Sequence, residues 1–152
     1  YGKDSGISYK QHIMKVLMDK GYIEEMYPPL YQKIFKNNGP CDMEIEYIDV
    51  YDAIDAIIKD NGIPVIAHPG QLKTYELIEE LVDKGLVGVE KYHRSHKDED
   101  KERVEQLVNE YKLIATGGSD FHGSYNTKRK VGDFMATEES VEFIMNHMKK
   151  KA

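Results

Sequence analysis

From residue 49 onward, apolar positions alternate between helical and strand-like spacing. Ala53, Ile54, Ile57 and Ile58 share one face of a helix capped by Asp49 and closed by Asn61-Gly62. The apolar run 63–67 predicts a short buried strand, with Pro64 at its start because proline cannot donate to a ladder. Thr74 caps a helix carrying Leu77, Ile78, Leu81 and Val82, and Gly85 ends it. Residues 86–90 predict a second strand. Residues 98–112 predict a charged helix with Val104, Leu107 and Val108 inward, and 113–116 a third strand. A last helix starts near Thr137 with the stripe Val141, Ile144, Met145 and Met148. This alternation predicts a parallel α/β layout. Three strands make half of a barrel or a small open sheet. Upstream, Ser8 is a candidate N-cap for a helix with Ile13, Val16 and Leu17 that stops at Gly21. Pro28-Pro29 opens a second helix carrying Leu30, Ile34 and Phe35. Residues 1–42 thus read as a helical subdomain, and 43–152 as the α/β part.

Composition narrows the class. The 152 residues are 40% hydrophobic and 32% charged, enough apolar material for one core. No stretch approaches the roughly 18 apolar residues of a membrane span, and no basic, apolar leader opens the chain. A single cysteine, Cys41, excludes an internal disulfide and fits a reducing, cytoplasmic setting. A net charge of −6 argues against a broad basic surface for duplex DNA. The chain opens on Tyr1 rather than Met, which reads as a piece of a longer protein.

Functional residues of parallel α/β folds sit just past the C-terminal ends of strands. Here those loops hold Ala67-His68-Pro69-Gly70, then Glu90 to His96, then Gly117-Gly118-Ser119-Asp120-Phe121-His122-Gly123. Four of the six histidines fall in them, the other two being His12 and His147. Histidine and aspartate at strand ends suit zinc, iron or manganese. On extended backbone, residues i and i+2 point the same way, so Asp120 and His122 would face one point. Gly117, Gly118 and Gly123 would allow close backbone approach or positive φ.

AHPG at 67–70 and GGSDFHG at 117–123, separated by one strand and its following helix, resemble the third and fourth motifs of the PHP (polymerase and histidinol phosphatase) family. Residues 8–22 are similar to the start of the helical insertion that some PHP phosphoesterases carry before the AHP motif. The resemblance covers nearly the whole chain. It implies a distorted seven-stranded β/α barrel with a di- or trinuclear metal site, of which this chain is the C-terminal part: a partial (β/α) barrel with a small N-terminal helical insertion subdomain. The family's first motif, His-x-His, and its second, which supplies a His and a Glu, are not found here. By resemblance, His68, Asp120 and His122 are metal ligands for Zn, Mn, Fe or Mg, and the N-terminal half of the barrel is a missing partner.

Each assignment has a plainer alternative. His68 also fits a buried, hydrogen-bonded strand-end histidine, and Asp120 a turn cap. The loop Tyr92-His93-Arg94-Ser95-His96 suits phosphate contact and leaving-group protonation, with His96 as the candidate general acid and Arg94 as a phosphate contact; it equally suits an exposed loop. Lys128 and Arg129 are substrate-phosphate candidates or a solvated charge run. Lys10 and His12 could face the site as a lid, and Cys41 is incidental. The reading implied is a metal-dependent phosphoesterase acting on a small phosphorylated metabolite or a nucleotide. A nuclease for short single strands and a non-catalytic PHP-like fragment remain as alternatives. A half barrel would also leave Val65, Val87, Val89 and Ile114 short of neighbours, predicting association, for instance as a homodimer through a strand edge.

Overall fold

The computed structural model describes residues 9–123 and 129–149. Ser8 and Lys128 lie outside these residues. The chain divides into two compact units: 9–47 together with His122 and Gly123, and 48–121 together with 129–149.

The first unit is helical. Helix α1 spans Lys10–Asp19, with Tyr9 at its N-cap position, and α2 spans Pro29–Phe35 with proline in the first turn. Its core is Met14, Met26 and Phe35, with Leu17, Met18, Ile23, Tyr31 and Ile34 packed around it. The inward face of α1 therefore runs through Met14, Leu17 and Met18, while Ile13 and Val16 are exposed. Leu30 on α2 is exposed as well. Two consecutive left-handed asparagines, Asn37 and Asn38, follow α2, a conformation asparagine tolerates better than most residues.

The second unit is a three-stranded parallel sheet in the order β1-β2-β3, with helices in the connections. Helix α3, Val50–Lys59, is capped by Asp49, whose side chain accepts from the Tyr51 N–H at 2.8 Å. Strand β1 is only Val65–Ile66. Pro64 stands just before it and offers its carbonyl to the N–H groups of Val87 and Gly88. The predicted helix from Thr74 is α5 at Leu77–Asp83, with Glu76 rather than Thr74 at its N-cap position, and a four-residue α4 at Pro69–Leu72 precedes it. The break lies at Lys73, which is left-handed at φ 55°. Strand β2 is Gly88–His93, α6 is Asp98–Tyr111, β3 is Ile114–Gly118 and α7 is Glu138–Lys149.

One cluster holds this unit together: Ile54, Ile78, Leu81, Leu86, Val89, Val104, Leu107 and Leu113. Each such fully buried side chain contributes about 1.5–3 kcal/mol relative to exposure. Val89 and Ile114, expected to lack neighbours, are buried, and only Val65 of that group is exposed. Exposed apolar side chains include Leu72, Val131 and Met135, Ile57 and Ile58 on α3, and Val141, Met145 and Met148 on α7. That helix is anchored at its first turn: the Ser140 hydroxyl donates to the Ala115 carbonyl of β3 at 2.8 Å, and the Ser140 N–H donates to the Thr137 hydroxyl.

Candidate active site

Strands β2 and β3 run two to three residues beyond their predicted ends, so several expected loop residues are strand residues. Glu90, Lys91, Tyr92 and His93 all belong to β2. Its register against β3 shifts between Glu90, which pairs with Thr116, and Tyr92, which pairs with Gly117. Lys91 is the extra residue of this bulge.

His68 lies just past β1 in the left-handed region, at φ 32° and ψ 56°. Its backbone N–H donates to the Glu90 carboxylate at 2.8 Å. Its ring is 5.1 Å from that of His93, which in turn is 5.8 Å from that of His96. Three imidazoles thus form a row beside the ends of β1 and β2. His93, 2% exposed, is the middle one. Its Nδ1 accepts from the Ser95 N–H, and burial pushes its pKa down against the opposing pull of Glu90.

Both ring nitrogens of His96 meet backbone groups. Its Nδ1 meets the Lys91 carbonyl at 2.8 Å, and its Nε2 accepts from the Gly70 N–H at 3.1 Å. One ring nitrogen thus faces a carbonyl, while the other accepts from an N–H.

Asp120 follows β3 and is left-handed at φ 55°. The extended-chain argument that would aim Asp120 and His122 at one point therefore does not apply. Of the glycines expected to allow positive φ or close approach, Gly123 takes a φ of 59°, and a Cβ on Gly117 would stand 2.6 Å from the Met135 carbonyl oxygen. Arg94 donates from Nε to the Asp120 carboxylate at 2.6 Å, so a phosphate-contact candidate and a ligand candidate are paired with each other. His122 is exposed and clusters with the helical unit. Arg129 has a buried Nε without a hydrogen-bond partner among the described residues. Lys10 and His12 lie on α1 in the helical unit, and Cys41 is an exposed free thiol.

Gly70 is required by close approach, and Gly118 lies close to Glu90. A Cβ on Gly70 would sit 2.7 Å from the His96 ring, 2.8 Å from the Tyr75 hydroxyl and 2.9 Å from the Asp100 carboxyl carbon. One on Gly118 would sit 3.2 Å from Glu90 Oε1. Around Gly70 a polar network ties the loop to α6. The buried Asp100 carboxylate accepts from the Tyr75 hydroxyl at 2.6 Å, Lys73 Nζ at 3.0 Å and the Lys97 N–H at 2.9 Å. The Tyr75 bond foremost, then those from Lys97 and Lys73, hold the Asp100 carboxyl well below its ordinary value of 3.8. A depressed carboxyl stabilises the fold above its unfolded pKa and loses that contribution as pH falls through the folded one. Replacing Asp100 by Asn is expected to cost about 1–3 kcal/mol at neutral pH. It should also flatten the loss of stability below about pH 4, as read by urea unfolding across pH.

Among the described residues, no three His, Cys, Asp or Glu side chains come together as a metal-holding group. The donor chemistry nevertheless suits a divalent cation. His68 presents an imidazole whose buried Nδ1 has no hydrogen-bond partner among the described residues, and Asp120 presents a half-exposed carboxylate. Glu90 and His93 entered the sequence reading without a firm role. The signal for Glu90 was a carboxylate at the end of an apolar strand.

A parallel α/β sheet with histidine and aspartate past its strand ends is the frame in which the comparisons with known proteins fall. No family model matches the chain. It is 43% identical over 131 residues to a phosphoribosyl 1,2-cyclic phosphate 1,2-diphosphodiesterase of Eggerthella lenta, covering 86% of this chain and 50% of that protein. It is 27% identical to a 3',5'-nucleoside bisphosphate phosphatase of Chromobacterium violaceum, covering 81% and 45%. The fold matches a Bifidobacterium adolescentis protein described as a candidate metal-dependent phosphoesterase, with a TM-score of 0.79, 23% identity, and coverage of 91% of this chain and 50% of that one. It also matches an amidohydrolase from Chromobacterium violaceum, solved with bound sulfate and no metal, at a TM-score of 0.69 and 23% identity. The chain spans about half the length of the curated relatives it matches. The resemblance to PHP-type phosphoesterases holds in sequence likeness as well as in motif.

Proposed function

We propose that this chain is the C-terminal part of a metal-dependent phosphoesterase that hydrolyses a phosphate ester of a small metabolite or nucleotide, and that its sheet is part of a PHP-type (β/α) barrel. The observation that carries the reading is the 43% identity to a cyclic-phosphate diphosphodiesterase across 86% of the chain. The strand-end motifs AHPG and GGSDFHG, which hold its histidines and aspartate, support it. Bound sulfate in one structural neighbour is consistent with an anion site in this fold.

In this reading His68, Asp120 and His122 hold divalent cations, with the remaining ligands supplied by an N-terminal half. When bound, such cations supply Lewis acidity toward water and phosphate oxygens. Arg94 turns its guanidinium to substrate phosphate, a bidentate geometry for which arginine is suited. Arg129 and Lys128 add positive charge on the same chain. His96 is the candidate general acid for the leaving group, its ring held between the Gly70 N–H and the Lys91 carbonyl. The setting is cytoplasmic, with no membrane or duplex-DNA partner. No helix among the described residues is long and apolar enough to cross a membrane.

The test is a substrate panel with the full-length protein and added Mn²⁺ or Zn²⁺. Release of inorganic phosphate from nucleoside bisphosphates, or opening and hydrolysis of cyclic phosphates, is expected, abolished by chelator. Shortening of single-stranded oligonucleotides without action on the small esters would replace this reading with a nuclease. No turnover of either class would leave a non-catalytic domain.

A further inference from the structure

We propose that Glu90 and His96 are positioning residues that clamp the backbone of His68-Pro69-Gly70 at both ends, and so set the direction of the His68 imidazole. This rests on the reading of His68 as a metal ligand.

The segment's carbonyls are bonded within the α4 turn, that of His68 to the Gln71 N–H at 3.0 Å and that of Pro69 to the Thr74 N–H at 3.2 Å, but its N–H groups find no backbone partner there. His68 is a non-glycine residue in the left-handed region, a conformation that persists only where the surroundings impose it. Strand β1 ends two residues earlier, at Ile66, so the ladder does not extend to His68. Pro69 has no N–H to offer. Two backbone donors remain in the segment, and each is taken by a side chain from β2 or the turn after it. The His68 N–H goes to Glu90 Oε2 at 2.8 Å, and the Gly70 N–H goes to His96 Nε2 at 3.1 Å.

Both acceptors are themselves held. The His96 ring is oriented by the Lys91 carbonyl at 2.8 Å, at the bulged residue of β2. The other Glu90 oxygen lies against Gly118, where a Cβ would stand only 3.2 Å away. Glu90 thus packs against the last residue of β3 while holding the residue after β1. One β2 carboxylate thus reaches both the residue that follows β1 and the end of β3, from which the ligand-bearing loops leave. A carboxylate accepting a backbone N–H is a charge-assisted bond, stronger than a neutral one. Groups that orient metal ligands in this indirect way typically change metal affinity by about 10–100-fold when removed.

The experiment compares Glu90→Ala, Glu90→Gln and His96→Ala in the full-length protein. It reads Mn²⁺ affinity by equilibrium dialysis and amide hydrogen exchange at His68 and Gly70 by NMR, with circular dichroism to verify folding. Glu90→Ala is expected to weaken Mn²⁺ binding about 10–100-fold and to speed exchange at His68. Glu90→Gln keeps an acceptor oxygen at the same reach and should restore most of both. His96→Ala should speed exchange at Gly70. Unchanged Mn²⁺ affinity in Glu90→Ala overturns the proposal. So does a Gln variant as defective as the Ala one, which would point to Glu90's charge rather than its acceptor role. If the wild-type protein binds no Mn²⁺, the phosphoesterase reading fails on its own. Exchange at His68 and Gly70 then decides the clamp, and unchanged rates in the alanine variants refute it.

Discussion

Asp120→Asn and His122→Ala, each made in the full-length protein, are expected to lose turnover by roughly 100-fold or more while the protein still folds. The size follows from position. Groups that merely orient metal ligands cost about 10–100-fold when removed, so losing a ligand itself should exceed that. The fold should survive for local reasons. Asp120 is half-exposed past the end of β3, and asparagine tolerates its left-handed φ of 55° nearly as well as aspartate. The Arg94–Asp120 pair is exposed enough that losing its charge should cost no more than about 1 kcal/mol. His122 is exposed, so its truncation removes little buried surface. Thermal unfolding should therefore move by only a few degrees, while kcat/KM falls at saturating Mn²⁺. Near-normal turnover in either variant would mean that the last motif does not ligate metal.

How legible this site was depends on which forces place each residue. The three strands, their helical connections and the Asp49 cap follow from periodicity and capping chemistry, both local in sequence. The collection of histidines past the strand ends was legible for the same reason. What escaped was set by tertiary geometry. The left-handed backbone at His68 and Lys73 carries no glycine or asparagine signal, so the short helix α4 between them could not be read, whereas the turn at Asp120 was open to the turn-cap reading. The commitment of His96 to two backbone groups depends on a bulge at Lys91, invisible to a period-two pattern. The bond from His68 to Glu90 crosses 22 positions of sequence. The α7 stripe was legible as a helix face, but amphipathicity reports that a face wants burial and not whether it has found a partner.

That unpartnered face underlies the second large effect expected. The isolated 152-residue chain should self-associate or bind apolar dye, and a full-length protein should do neither to the same degree. Val141, Met145 and Met148 recur at i, i+4 and i+7 along α7, and all three are exposed, Met148 to 60%. Val65 on the short strand β1, and Ile57 and Ile58 on α3, add further exposed apolar groups in the same unit. The sheet contributes open edges as well: β1 and β3 are the outer strands of a parallel sheet of three, an arrangement usually covered in complete α/β proteins. Relatives about twice as long have a further half of chain to supply such cover. Sedimentation of the isolated chain over a range of concentrations should show species of at least twice its 17.5 kDa mass. Polar replacement of the stripe, Val141→Lys with Met145→Glu, should shift that equilibrium toward monomer without disturbing the buried cluster around Leu81 and Val104, because neither side chain belongs to it. A compact monomer at all concentrations, with cooperative unfolding and no dye binding, would instead mean that this α/β unit is self-sufficient. The partial-barrel reading would then give way to a small domain complete in itself.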